Sequence, residues 1–449
     1  MEVLLTIMKN DLALLGGPKA VQSEPGDLFA WPIITPEAEE AVLAVLRAGR
    51  MSNLDVTLQF EAEFAQWLGL RYALAHNTGT AALHGAMFGL GIGAGDEIIC
   101  PSVTYWASCL PVYSLGGTVV FADIDPVTLC IDPNDIEKRI SPRTKAIIVV
   151  HYTGYPCEMD TILAIARRHK VAVIEDCSHA HGALYKGRTV GTMGDVAAFS
   201  LMSGKSFPIG EGGILVTNNR LIYERAALFG HYERAADITD PDLAAGAGLP
   251  WGGYKYRMHQ LSSAVGRVQL KSYPQRMADI DDAMNRFWDR LEGVSGIRPH
   301  RPPKGSGLTM GGWYFPVGLY HPEELGGLSV ARFVEALAAE GVPTGVGCNR
   351  ALHMHPLFNT VDVYNQGKPT RIANLPSGVD IRQPKGSLPV AEGLQEHVFQ
   401  IPWFKHYRPA AIEEYAAAVR KVARSYRELL AGDTGAKSDS GEWGLTRRR

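Results

Sequence analysis

From about residue 72 the chain alternates short, unbroken apolar runs with longer stretches of helical periodicity, and this alternation restricts its folding options more than any other feature. YALAHN precedes TAALHGAMFGLG, DEIICP precedes a helix expected near YWASCLPVYSLG, GTVVFADI precedes DPNDIEKRI, KAIIVVHY precedes MDTILAIARRHK, and VAVIED follows. Strands separated in this way by helices predict an open, mostly parallel sheet covered by helices. IIVV and VAVI carry no polar alternation, as expected of strands buried on both faces. Their polar residues, His151, Glu175 and Asp176, fall at the carboxyl ends, the edge where open α/β sheets bind ligands.

Flanking segments suggest the domain limits. Residues 1–34, rich in Gly, Pro and Ser after Leu15, read as an extended arm, and PEAEEAVLAVLRAGR predicts a first helix between Pro36 and Gly49. Residues 35–289 form the expected large domain. A Pro/Gly-rich stretch, HRPPKGSG, opens a second alternating region, WYFPVGLY, VARFVEALAAEG, VFQIPWF and AAIEEYAAAVRKVARSYRELL, read as a small C-terminal α/β domain over 290–431. The polar tail, 432–449, is expected to be disordered. A chain of 449 residues, 46% hydrophobic and 20% charged, has material for both domains, with no membrane span.

Net charge is −3, with 44 basic against 47 acidic residues, so nothing electrostatic marks a nucleic-acid or anionic-membrane partner. Small molecules and a second copy of the chain are the expected partners. The six cysteines (100, 109, 130, 157, 177 and 348) are scattered without metal-ligand spacing, which fits a reducing compartment and no metal. The run MEVLLTIMKNDLALL lacks the charge layout of a secretory signal, so a cytoplasmic protein is expected.

Three features of the first region invite a common explanation. In HNTGTAAL, Thr78, Gly79 and Thr80 lie between a strand and a helix, where N–H groups and hydroxyls at a positive helix end can cradle phosphate; the same residues read equally as an N-cap. Asp176 ends VAVIED, and a carboxylate at a buried strand end needs a cation or several donors, whether in a ligand site or in a structural ion pair. Lys205 lies in SLMSGKSFPIGEGG, between two strand-like runs, with glycines that permit close backbone approach to a ligand; singly it reads as a loop lysine. Phosphate cradle, acid for a pyridinium nitrogen and imine-forming lysine are the parts that hold pyridoxal phosphate. Their order, and the 29 positions from Asp176 to Lys205, are those of the fold typified by aspartate aminotransferase.

The chain resembles the DegT/DnrJ/EryC1/StrS family of sugar aminotransferases from about Trp31 to Leu430, through GTAALHGA, CPSVTYWAS, IDPNDIEKRISPRTKAIIVVHYTGYPCEMD, VIEDCSHAHGALYKGRTVGTMGDVAAFSL, GKSFPIGEGGILVTNN and YKYRMHQLSSAVGRVQL. The resemblance implies fold type I of the pyridoxal-phosphate enzymes, with Lys205 as the Schiff-base lysine and Asp176 as partner of the ring nitrogen. It implies Tyr105 stacked on the ring, His179 beside it, and Thr78, Gly79, Thr80 and Ser200 around the phosphate. Where the family has an Asn that reaches the neighbouring protomer's phosphate, this chain has Lys255, which can serve as a point charge. His353, in LHMHPLF, falls where relatives bring a small-domain histidine to substrate, and the insert-like stretch 359–387 is expected to shape the acceptor pocket.

The implied protein is a homodimer with shared sites that transfers an amino group from glutamate or glutamine to a keto sugar, nucleotide-linked or not, or to a keto cyclitol. Related sugar dehydratases carry histidine where this chain has Lys205, which argues against that activity; a non-catalytic sensor would have no use for acid, lysine and cradle together.

Overall fold

A computed structural model of the chain describes residues 11–435. The first ten residues of the expected arm and the tail from 436 lie outside the described residues. Five strands come first: β1 (Tyr72–His76), β2 (Glu97–Pro101), β3 (Thr118–Ala122), β4 (Thr144–Val150) and β5 (Ala172–Asp176). A short hairpin, β6 (Leu184–Tyr185) and β7 (Arg188–Thr189), precedes β8 (Val196–Ser200) and β9 (Gly213–Thr217). Seven of these build one sheet in the order β1-β9-β8-β5-β4-β2-β3, parallel throughout except at β9, which is antiparallel to both neighbours. The expectation of a mostly parallel sheet is met. Every residue of β2 and β3 is buried, so both faces are covered.

The helices of this part are α1 (Pro36–Arg47), α2 (Asp55–Leu68), α3 (Gly79–Gly89), α4 (Pro133–Arg139), α5 (Met159–His169), α6 (Arg220–Gly230) and α7 (Pro241–Ala244). Local chemistry sets their ends. The Thr35 hydroxyl accepts from the Ala38 N–H while Pro36 opens α1, and α2 stops at Gly69, whose φ of 70° suits glycine. The helix expected near YWASCLPVYSLG is instead two 3₁₀ turns, Trp106–Ser108 and Leu110–Leu115, separated by Cys109 outside the helical region and followed by Pro111, which has no N–H to continue a ladder.

The long α8 (Gln260–Asp289) packs against α1 and α2, and its Trp288 lies beside Gly318 of the second sheet. That sheet contains β10 (Ile297–Pro299), β11 (Val317–Tyr320), β12 (Gly345–Val346) and β13 (Val398–Gln400) in the order β10-β11-β13-β12. All three pairings are antiparallel, so the second alternation of strands and helices does not produce a second parallel sheet. Around it lie α9 (Val330–Ala339), α10 (Pro389–Gly393), α11 (Pro409–Arg424) and α12 (Tyr426–Leu430). Asp433, placed by the sequence in the tail, accepts from the Ser329 N–H and hydroxyl at the start of α9. Among the described residues no helix is long and apolar enough to cross a membrane.

Two irregular segments are tied down. The arm bonds through the Ala13 and Ala20 N–H groups to Glu340, and through Gln22 and Ser23 to Glu414, with Leu12 and Leu28 buried. The stretch 359–387, expected at the acceptor pocket, clasps the open edge of the large sheet. Gln383 accepts from the Phe121 N–H (2.9 Å) and donates to the Phe121 carbonyl (2.7 Å), and buried Arg371 donates to the Val119 carbonyl and to Gln383. A side-chain amide thus takes the place of a further strand against β3, which removes an exposed pairing edge.

Candidate active site

The carboxyl ends of β1, β5 and β8 meet at one edge of the large sheet because β9 returns between β1 and β8. His76 pairs with Gly213, Ser200 also pairs with Gly213, and Asp176 pairs with Ala198. This register brings Thr78, Gly79, Thr80, Asp176, Ser200 and Lys205, distant in sequence, to one place. Glycine is required at the junction: a Cβ on Gly79 would lie 2.6 Å from the Ser200 Cβ, and one on Gly213 would run into the Thr78 carbonyl. Thr78 caps α3, its hydroxyl accepting from the Ala81 N–H at 3.0 Å. The Gly79 and Thr80 amides precede the intrahelical ladder, so the cap and cradle readings are compatible.

Asp176 is buried and accepts from the Ser108 hydroxyl (2.7 Å) and the Ser178 N–H (3.1 Å). Ser108 also bonds Thr104, which ties the loop carrying Tyr105 to the acid. The half-buried Tyr105 ring packs against Trp106, with centroids 4.8 Å apart. Ser178 accepts from the Ser200 N–H, joining the ends of β5 and β8. His181 donates to the Ser200 carbonyl at 2.9 Å and bonds the Ser206 hydroxyl, supporting the loop beneath Lys205.

Lys205 is 8% exposed. Burial pulls its ammonium pKa down from 10.5 to about 7, against the opposing pull of the Asp176 carboxylate. Its Nζ lies 3.9 Å from the centroid of the Tyr314 ring, and its carbonyl accepts from Trp31 Nε1 at 2.9 Å. Tyr314 is held between two left-handed residues, Trp313 and Phe315, each with φ of 53°. Such strain in non-glycine residues gathers where a side chain must be aimed. His179, 4.6 Å from Tyr314 between ring centroids, accepts from the Thr153 N–H through Nδ1. Burial, with Lys205 and His181 nearby, holds its pKa well below the ordinary value, leaving a neutral ring with a donor at Nε2.

Two expected residues stand apart. Lys255 is exposed, its Nζ 5.8 Å from the Tyr232 ring centroid, although its carbonyl accepts from Asn77 next to the α3 terminus. His353 is fully buried with both nitrogens engaged: Nδ1 bonds Ser102 (2.8 Å) and Nε2 donates to Glu392 (3.0 Å). Its ring ties the small-domain segment to the loop after β2, with both nitrogens occupied by protein partners. His151, Glu175 and Cys177 bring ligand atoms within 4.8 Å of one another, yet Glu175 already accepts from the Gly191, Met193 and Gly194 N–H groups and from His151. Tyr314, Trp31, Ser108 and His181 also belong to the site, though the sequence alone does not assign them to it. Of these only His181, two residues beyond His179 in HAH, carried a local signal.

A seven-stranded sheet with a buried lysine facing an aspartate and a helix N-terminus at its carboxyl edge defines an aminotransferase of fold type I, the aspartate aminotransferase-like fold. Comparison with known proteins agrees, residues 32–420 matching the DegT/DnrJ/EryC1/StrS aminotransferase family. The chain belongs to that family. It is 30% identical to the L-glutamine:2-deoxy-scyllo-inosose aminotransferase of Micromonospora echinospora, over 93% of this chain and 99% of that protein. It is 36% identical to the GDP-perosamine synthase of Caulobacter vibrioides, over 64% of this chain and 75% of the relative. The crystal structure of an aminotransferase from Psychrobacter cryohalolentis superposes with a TM-score of 0.76 at 30% identity, over 89% of this chain and all of that one.

Proposed function

We propose that this aminotransferase holds pyridoxal 5′-phosphate at the β1, β5 and β8 edge and transfers an amino group from glutamate or glutamine to a nucleotide-linked keto sugar or a keto cyclitol. The observation that carries this reading is the buried Lys205, with its lowered pKa, near Asp176. The residues present suit the cofactor: an anion-binding helix terminus with glycine at its tightest contact, a carboxylate fixed by two donors, and a lysine in one small volume. When bound, pyridoxal phosphate supplies an electron-accepting ring that stabilises negative charge on the donor carbon.

The protein's own groups do the rest. About half of Lys205 is unprotonated near neutral pH, so Nζ can hold the aldehyde as a nucleophile and, once freed, carry a proton to and from the donor carbon. Asp176 would pair with a protonated ring nitrogen, and Ser108 and the Ser178 amide hold its carboxylate in place. Thr78, Gly79, Thr80 and Ser200 would hold the phosphate, Tyr105 would pack on the ring, and His179 would offer its Nε2 hydrogen as a donor. Lys255 belongs to the phosphate of a second subunit in this reading, which makes the protein a homodimer with shared sites. The six unpaired cysteines suit a cytoplasmic location. The acceptor class draws on the relatives' names, one a scyllo-inosose aminotransferase and one a GDP-sugar synthase.

The test is release of 2-oxoglutarate from glutamate by the cofactor-loaded protein, with amino transfer to a panel of keto sugars, with and without nucleotide, and to keto cyclitols. Turnover with one acceptor class is expected; no release from either glutamate or glutamine contradicts the reading. Mixing dissociated Lys205→Ala and Lys255→Ala chains restores activity in about a quarter of sites if sites are shared. No rescue, with subunit exchange verified, contradicts sharing.

A further inference from the structure

Lys205 is not the only lysine the fold buries in this region. Lys405, in the IPWFKHY segment after β13, is 8% exposed, and its backbone N–H donates to the Leu28 carbonyl. Its Nζ sits 3.2 Å from the centroid of a Trp403 ring and 5.7 Å from that of Trp31. Both rings lead to Lys205. Trp403 meets Tyr314 edge-on with centroids 5.6 Å apart, and Tyr314 lies under the Lys205 ammonium. Trp31 lies 6.0 Å from Trp403 and donates from its indole nitrogen to the Lys205 carbonyl. One aromatic wall, Trp31, Trp403 and Tyr314, therefore has a lysine at each end.

The two lysines differ in their company. Lys205 has Asp176. Among the described residues Lys405 has no carboxylate partner, and Asp27, the acid beside the Leu28 contact, is committed to Arg408 and His406. Burial alone lowers the Lys405 pKa, to about 7, with no opposing acid. The ammonium rests on tryptophan faces with no protein acceptor among the described residues for its three N–H groups, and it is not sealed from solvent, so water or an arriving ligand can reach it. A lysine held on an aromatic wall beside a reactive site, with its ammonium still within reach, suits an anion that arrives with the substrate.

We infer that Lys405 is the anion-recognition residue of the substrate site, binding a carboxylate of the amino-acid donor or a phosphate of a nucleotide-linked acceptor against the wall of Trp31, Trp403 and Tyr314. This rests on the aminotransferase reading for the identity of the substrates, while the subsite itself rests on the geometry. Trp31 and Trp403 position the ammonium, and Tyr314 links the subsite to Lys205.

Glutarate and UDP are the probes, titrated calorimetrically into the full-length cofactor-loaded protein and its Lys405→Met variant. Glutarate has no amino group and UDP no ketone, so each reads binding without chemistry. Loss of a charge-assisted contact should weaken one probe roughly 10- to 100-fold. Weakened glutarate assigns the subsite to the donor carboxylate, and weakened UDP assigns it to the acceptor phosphate. Methionine relieves an unpaired buried charge, so the variant should melt no lower than the parent. If it does melt lower, Lys405→Gln, which drops the charge but keeps a polar tip, is titrated instead. Unchanged affinity for both probes, or binding of neither probe by the parent protein, overturns the inference. A protein that transaminates with both affinities unchanged refutes the subsite alone; one that binds a probe through Lys405 yet releases no 2-oxoglutarate from glutamate or glutamine refutes the aminotransferase reading alone.

Discussion

Lys205→Met should make the cofactor-free protein more stable while abolishing its activity. In the folded chain this amine titrates near 7 instead of 10.5, so at pH 7 its burial costs about 4 kcal/mol relative to the unfolded chain. Methionine fills similar volume without the charge but forfeits the contact with the Tyr314 ring, worth about 0.5–2 kcal/mol. Local relaxation lowers the penalty further, leaving a net gain of about 1–3 kcal/mol. For a chain of this length that is a rise of roughly 1–3 °C in melting temperature. The sign of the pH dependence follows from the direction of the shift. The folded pKa lies below the unfolded one, so between about pH 7 and pH 10.5 the unfolded chain binds more protons and stability rises with pH. The variant lacks this component, and its advantage should shrink toward zero near pH 10. Scanning fluorimetry at pH 7, 8.5 and 10 makes the comparison. A variant that melts below the parent at pH 7, or keeps the same advantage at pH 10, refutes the account of Lys205 as a strained, half-neutral amine.

Asp176→Asn keeps one acceptor, for the Ser178 N–H, turns Ser108 from donor to acceptor and removes the charge, so single-turnover release of 2-oxoglutarate should slow by about 100-fold or more while the fold survives. Gly79→Ala forces a Cβ to within 2.6 Å of Ser200 and should cost about 1–3 kcal/mol, seen in denaturant midpoints, with weaker cofactor retention on dialysis. Gln383→Ala removes both bonds to Phe121 and one partner of buried Arg371, and should lower stability by about 2–4 kcal/mol in thermal melts while leaving turnover of the remaining folded protein intact.

The parts of this structure legible in the sequence are those whose signal is local. Ile147 to Val150 and Val173 to Ile174 are buried on both faces and therefore appear as unbroken apolar runs, which placed β4, β5 and the ligand-binding edge. Thr78, with Pro and Gly punctuation elsewhere, marked helix ends through their own backbone preferences. Tyr314 was hidden because its role depends on the left-handed turn at Trp313 and Phe315, conformations that neither residue type announces. Trp31 reaches Lys205 across 174 positions, and no periodicity encodes such a contact. The surroundings of His353 and Gln383 were hidden for the same reason. A histidine in a loop looks available until Ser102 and Glu392, from two other segments, are seen to occupy both nitrogens. The polar stretch around Gln383 looks like a pocket-lining insert because side-chain pairing to a strand edge leaves no alternating pattern.

Lys205 alone takes the cofactor in this reading, although Lys405 is also buried with a pKa lowered to about 7. Borohydride reduction of the protein incubated with pyridoxal 5′-phosphate, followed by peptide mapping, tests it directly. One covalent label per chain is expected, on the peptide containing Lys205, and none in the Lys205→Met variant. A principal label on Lys405 or on any other lysine, or none at saturating cofactor, would contradict it.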